Sequence, residues 1–182
     1  AVGDVSVFSF DQMKNMPRFG GGGMVLTDNK EIYDTVMSLR RHGTSGTHTY
    51  GYNSLISEDH ANQLLLLLSK FDRLQNMREK VSKRYKKNIP EVQIICAGPK
   101  TKSSNHKLVI LTDRRDELKA YLETKGIETK IHYAKTLDTK NVGSYPNAEK
   151  ICARALSLPI YPHLEIKEVD YVCDRIKEFL YV

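Results

Sequence analysis

Two side chains near the start of this 182-residue chain are of the types and spacing that carbonyl chemistry needs. Ser9 and Lys14 bracket the run Ser9-Phe10-Asp11-Gln12-Met13-Lys14, and consecutive glycines follow from Gly20 to Gly23. A lysine amine can form a Schiff base with an aldehyde, and a nearby hydroxyl can bind a phosphate. Together they are what a pyridoxal 5'-phosphate (PLP) site requires. The amine attacks only when neutral, so such a site must desolvate it or place cations beside it. A phosphate dianion needs several donors, and glycines let the backbone turn sharply or approach closely. With Lys14 so near residue 1, much of an enzyme is expected upstream, and the Ala1 start without methionine reads as internal or processed.

The elements that must position these groups follow from periodicity. Residues 4–10 alternate and are rich in Val and Phe, which predicts a strand, and 24–27 predict a shorter one. Asp28 is placed as a helix cap with Glu31 three residues on, Ile32, Val36 and Leu39 as the apolar stripe, and Gly43 as the stop. Residues 44–53 read as a loop of the kind that carries function. Ser57 then caps a helix expected to run unbroken over 57–89, with Leu64, Leu67, Phe71, Leu74, Met77, Val81 and Tyr85 at helical spacing up to Pro90. About 30 helical residues span roughly 45 Å, so this element reads as a connector between domains or part of a subunit interface.

Beyond Pro90, strands are expected at 92–96, 107–111 and 127–132. Helices are expected from Asp113 to Lys125-Gly126, at 147–155 and at 166–180. That alternation makes a small α/β unit.

The totals exclude other classes. With 40% hydrophobic and 27% charged residues the composition is that of an ordinary globular protein. No apolar run approaches the roughly 20 residues of a membrane span. Cys96, Cys152 and Cys173 have no metal or redox spacing and read as reduced core thiols of a cytoplasmic protein, and no metal site is expected. The net charge of +6 is scattered, and its densest cluster, Lys80, Lys83, Arg84, Lys86 and Lys87, falls at a helix end where cations suit the macrodipole. Nothing resembles a nucleic-acid-binding motif.

Several segments, in order, resemble the C-terminal half of DegT/StrS-type sugar aminotransferases, PLP enzymes of fold type I. The run FSFDQMKN resembles the family's S-F-x-x-x-K-N, and the glycines leading into Met24-Val25 resemble its G-E/D-G-G. Leu39-Arg40-Arg41-His42-Gly43 resembles L-R-x-H-G, and Tyr50-Gly51-Tyr52-Asn53 resembles G-Y-N. Gly126-Ile127 with Ile131-His132-Tyr133, and Tyr145-Pro146 with Ser157-Leu158-Pro159, resemble its late segments. The sequence departs from the pattern at Gly21 (an acid in the family), Leu55 (often basic) and Asp138 (often His), which bears on substrate contacts more than on the cofactor.

The resemblance implies an α/β fold with the end of a PLP-binding large domain at 1–56, a connecting helix at 57–89 and a small C-terminal domain at 90–182. It implies Lys14 as the Schiff-base lysine, Ser9 as a phosphate ligand and Asn53 as a phosphate ligand across a homodimer interface, with His132 and Tyr133 near substrate. The retained Lys14 argues against the subgroup that carries histidine there and acts as a dehydratase. The implied reaction is amination of a nucleotide-linked keto sugar by an amino-acid donor. The ring-binding aspartate, the stacking aromatic and the phosphate turn of the N-terminal half are not among these residues, so a further chain or a longer precursor is expected to hold them. The alternatives are a non-catalytic dimerisation or regulatory module, and, on charge alone, a nucleic-acid-binding domain.

Overall fold

The computed structural model describes residues 3–18, 20–43, 50–98, 100–138, 140 and 143–181. It divides into two compact units, Ala1–Phe71 and Asp72–Val182, so the division falls inside the expected connector.

In the first unit β1 (Ser6–Ser9) pairs antiparallel with β2 (Gly23–Leu26), in a register that sets Ser9 opposite Gly23. α1 (Lys30–Leu39) follows. Its cap is Asn29 rather than Asp28: Asn29 Oδ1 accepts from the backbone N–H of Glu31 at 2.9 Å and of Ile32 at 3.2 Å. Thr27 Oγ1, accepting from Asn29 N–H at 3.1 Å, shifts the start by one residue. Of the expected loop at 44–53, residues 44–49 lie outside the described residues. The remainder is tightly held. Tyr52 N–H donates to Leu39 O at 2.8 Å, His42 N–H to Tyr52 O at 3.2 Å and Ser54 N–H to Arg40 O at 3.0 Å. This closeness needs glycine at 51, where an added Cβ would stand 2.4 Å from Leu39 O and 2.5 Å from Gly43 N. Gly43 itself has φ of +73°.

The expected single helix is two helices: α2 (Glu58–Ser69), capped by Ser57, and α3 (Phe71–Asn88). Lys70 is the C-cap of α2 (φ −104°, ψ 0°), and Ser69 Oγ donates to Leu66 O at 2.8 Å. A hydroxyl bonded to its own last turn competes with helix propagation. The apolar stripe passes across this break unchanged, so periodicity does not mark it.

The second unit packs α3, α4 (Arg115–Thr124) and α6 (Ile166–Leu180) with a three-stranded antiparallel sheet ordered β3 (Gln93–Ile94), β4 (Leu108–Leu111), β5 (Ala155–Leu158). α5 (Pro146–Arg154) runs directly into β5. Leu108, Ile110, Leu156 and Leu158 point from the sheet into a core with Tyr85, Leu122 and Ile176. Buried Tyr85 keeps its hydroxyl satisfied by donating to Pro159 O at 3.1 Å. Arg84 forms a bidentate pair with Asp170 at 2.6 and 2.7 Å, and this holds the Asp170 carboxyl below the usual carboxylate range.

Four expectations change here. Asp113 does not cap α4, whose N-cap residue is Arg114 without a side-chain cap; the Asp113 carboxylate pairs instead with Arg154 at 2.7 Å. Residues 127–132 make only one bridged pair, Lys130 with Ser157. Two residues beyond Ser157 stands Pro159, which has no N–H to extend the ladder. β5 had no sequence signal, because Ala-Leu-Ser-Leu follows a helix with no turn between. Of the three thiols only Cys173 is buried, its pKa pushed up to about 12 by that burial, while Cys152 is half-buried and Cys96 exposed.

Three substitutions test this packing. Leu156→Ala, at a fully buried β5 position, should lower unfolding free energy by about 2–5 kcal/mol in urea titrations. Gly51→Ala should cost about 1–3 kcal/mol by overpacking against backbone. Gly98→Ala, whose nearest neighbour is Thr101 Oγ1 at 3.8 Å, should stay within about 0.5 kcal/mol.

Candidate active site

The turn after β1 carries the groups that can do chemistry. Ser9 is the last residue of β1 and its hydroxyl accepts from Asp11 N–H at 3.3 Å. The Asp11 carbonyl in turn accepts from Lys14 N–H at 2.9 Å, and the Asp11 carboxylate accepts from Met13 N–H at 2.9 Å. Asp11 therefore ties the Ser9 hydroxyl and the Lys14 backbone to one tight turn. Both Ser9 and Lys14 are exposed. Phe10, between them, is buried and serves as the anchor.

The glycines close this loop. Phe10 N–H donates to Gly22 O at 2.8 Å, Arg18 N–H to Phe10 O at 2.9 Å, and Gly21 N–H to Arg18 O at 3.1 Å. Gly20 and Gly21 have φ of +84° and +72°, which L-residues with a Cβ rarely adopt. The expected sharp turn is thus present.

Two residues not singled out from sequence bear on the same turn, Arg18 within it and His60 on α2. The Arg18 guanidinium donates to Gly21 O and to His60 Nδ1, and His60 Nδ1 lies 2.8 Å from Ser57 Oγ. The available signal was an arginine isolated in a glycine-rich segment.

Asn53 stands elsewhere in the first unit, bridged to Arg41 just past the end of α1, and its side chain is exposed. The backbone bonds around Gly51 fix its position. His132 and Tyr133 belong to the second unit. His132 Nδ1 lies 2.9 Å from Ser157 Oγ, and its ring stands edge-on to Tyr133 with centroids 5.7 Å apart. Partial burial, and then the positive charges of Lys107 and Lys130, hold the His132 pKa below the ordinary histidine value. Tyr133 is exposed.

Among the described residues, no group of three or more His, Cys, Asp or Glu side chains could hold a metal ion, and no helix is long and apolar enough to cross a membrane.

This arrangement agrees with the similarity of the chain to known proteins. A pleiotropic regulatory protein of Geobacillus stearothermophilus is 32% identical over 194 residues, covering 98% of this chain and 52% of that protein. The dTDP-3-amino-3,4,6-trideoxy-alpha-D-glucose transaminase of Streptomyces venezuelae is 32% identical over 193 residues, covering 98% and 51%. The crystal structure of S. venezuelae DesV in complex with a ketimine intermediate superposes with a TM-score of 0.89 at 31% identity, over 96% of this chain and 51% of that one. The chain spans about half the length of the relatives it matches. Residues 1–177 match the DegT/DnrJ/EryC1/StrS aminotransferase family, and the chain belongs to that family.

Proposed function

We propose that this chain is the C-terminal half of a PLP-dependent aminotransferase that aminates a nucleotide-linked keto sugar. The observation that carries the reading is the Asp11 turn, which holds the Ser9 hydroxyl and Lys14 together on one closed loop. The residues present fit the cofactor: an exposed amine, an exposed hydroxyl and a glycine turn with left-handed backbone on the same connection. When bound, PLP supplies the carbonyl that captures an amine and the electron sink that makes the adjacent proton labile.

The roles of the chain's own residues follow from their chemistry. Lys14 would hold the cofactor through its amine, and the same amine is the group that would move a proton at the substrate carbon. Ser9 Oγ donates its proton to a phosphate oxygen while still accepting from Asp11 N–H, a combination open to a hydroxyl. The Asn53 amide donates to the phosphate in a partner subunit, so a two-fold homodimer is part of the proposal. His132, whose charged form is disfavoured by burial and by the nearby lysines, and the exposed Tyr133 hydroxyl would make polar contacts to substrate.

The reading also requires the other half of the enzyme. β1 and β2 contain no buried residue, and Val7 is 76% exposed. α2 exposes Leu65, Leu66 and Leu68 as well. A two-stranded sheet with apolar side chains on open faces is marginal alone, so these surfaces suit a covering domain or subunit. The same surfaces would serve a dimerisation or regulatory module, the second reading, which needs no Lys14 amine.

The test is incubation with PLP, borohydride reduction and peptide mapping. Label concentrated on Lys14, and lost in Lys14→Ala without change in the far-UV spectrum, is the expected result. Label spread over the exposed lysines, equal in the wild type and Lys14→Ala, would remove the catalytic reading. In the complete enzyme Lys14→Ala should lower kcat by at least about 10²-fold, the lower end of what a positioned acid–base group contributes.

A further inference from the structure

We propose that Lys107 and Lys130 form a binding subsite for the diphosphate of a nucleotide-linked substrate, on the sheet face where Ser157 holds His132. The assignment of the diphosphate rests on the function proposed above, but the subsite itself stands on geometry.

The strand register defines that face. Leu108 pairs with Leu158 and Ile110 with Leu156, and all four are buried in the core of the second unit. The alternating positions therefore face the other way: Val109 pairs with Ser157 across β4 and β5, and Lys130 pairs with Ser157 on its far side. Lys107, two residues before Val109, belongs to this same non-core face. His132 reaches back to it through the 2.9 Å contact with Ser157 Oγ. Lys130 by its backbone and His132 by its ring thus meet Ser157, and Lys107 lies on the same face.

The backbone that presents Lys107 is anchored from α3. Gln75 Nε2 donates to Ser104 O at 2.9 Å, and Arg78 Nη1 donates to Asn105 O at 3.4 Å and to Ile160 O at 3.0 Å. After burial, the charges of Lys107 and Lys130 each help to hold the His132 pKa low, which agrees with their place on this face. An acidic neighbour is present: Glu128, 79% exposed, lies 3.1 Å from Lys130 Nζ. An exposed pair of this kind contributes little, and Glu128 is free to swing into solvent when a stronger anion arrives. Lysine suits a diphosphate as a mobile point charge, with three donors and a flexible stem.

The electrostatics fix the sign of the test. An anion between Lys107 and Lys130 offsets the like charges that disfavour imidazolium, so it must raise the His132 pKa. The experiment titrates the whole chain with inorganic pyrophosphate while the His132 ring protons are followed by NMR across the pH range. The expected result is a pyrophosphate-dependent rise in the His132 pKa, with binding at least tenfold weaker and the rise abolished in K107Q/K130Q. Glutamine keeps most of the aliphatic stem, and an unchanged amide spectrum elsewhere shows that the variant is folded. Lys167→Gln, on α6, should leave both readings unchanged. Pyrophosphate binding that K107Q/K130Q does not weaken, weakening by Lys167→Gln of equal size, or a His132 pKa insensitive to pyrophosphate would each overturn the proposal. Borohydride labelling of Lys14 is read separately. Pyrophosphate response without Lys14 labelling would sink the aminotransferase reading alone, and labelling without the response would sink the subsite alone.

Discussion

The backbone closure between Phe10 and Gly22 is the constraint on which the proposed chemistry of this chain depends. One hydrogen bond of 2.8 Å joins the end of β1 to the residue before β2, and Arg18 N–H returns to Phe10 O at 2.9 Å. Everything between those points is a loop with fixed ends, and Asp11 ties the Ser9 hydroxyl and the Lys14 backbone to it. The Lys14 amine takes no part in that fastening. Lys14 could not both fasten the loop and act as a mobile amine, and the structure assigns the fastening to Phe10, Asp11 and Arg18. Entropy makes the same point: a long lysine held by its own salt bridge would surrender rotamer freedom before any ligand arrived.

The two units divide the physical work differently. The second carries a closed apolar core drawn from α3, α4, α6 and the sheet, with Val81, Ile110, Leu122 and Ile176 almost wholly removed from water. The first buries Phe10 and Leu64 but leaves both strands open. An apolar strand edge with unpaired N–H and C=O groups invites further pairing. That imbalance agrees with a chain spanning about half the length of its relatives.

Much of this was legible in the sequence, and the failures have specific causes. The cap at Ser57 and the end of α4 at Gly126 rest on local chemistry, namely a serine oxygen and left-handed glycine, and were found where expected, whereas α1 ends at Leu39 with Arg40 as its C-cap, before the expected stop at Gly43. The capping shift to Asn29 and the diversion of Asp113 to Arg154 each depend on a competing partner that local sequence cannot reveal. The break at Lys70 was hidden because both helices share one apolar phase. β5 was hidden because ALSL draws its strand character from its neighbour β4, not from its own residue types. Ser9 and Lys14, which lie on one turn, and Asn53, which stands past the end of α1, were singled out through ordered resemblance. Arg18 and His60 were not, since their association crosses more than forty positions and no periodicity links them.

The departures from the family pattern fall where the main chain does the positioning. Gly21 replaces an acid, yet its contributions to the turn are a carbonyl that accepts from Arg18 and an N–H given to Arg18 O, both indifferent to a side chain. Leu55 is about half exposed and lies just beyond the Gly51 clamp that sets Asn53. Asp138 has its carboxylate accepting from Lys140 N–H at 3.1 Å and its carbonyl from Thr136 Oγ1 at 3.1 Å. A scaffold built this way can change the groups that meet substrate without moving the lysine, hydroxyl and amide proposed to hold the cofactor. On the proposed reading, a change of substrate would then be a matter of side chains on a fixed backbone, as expected for groups carried on loops held at both ends.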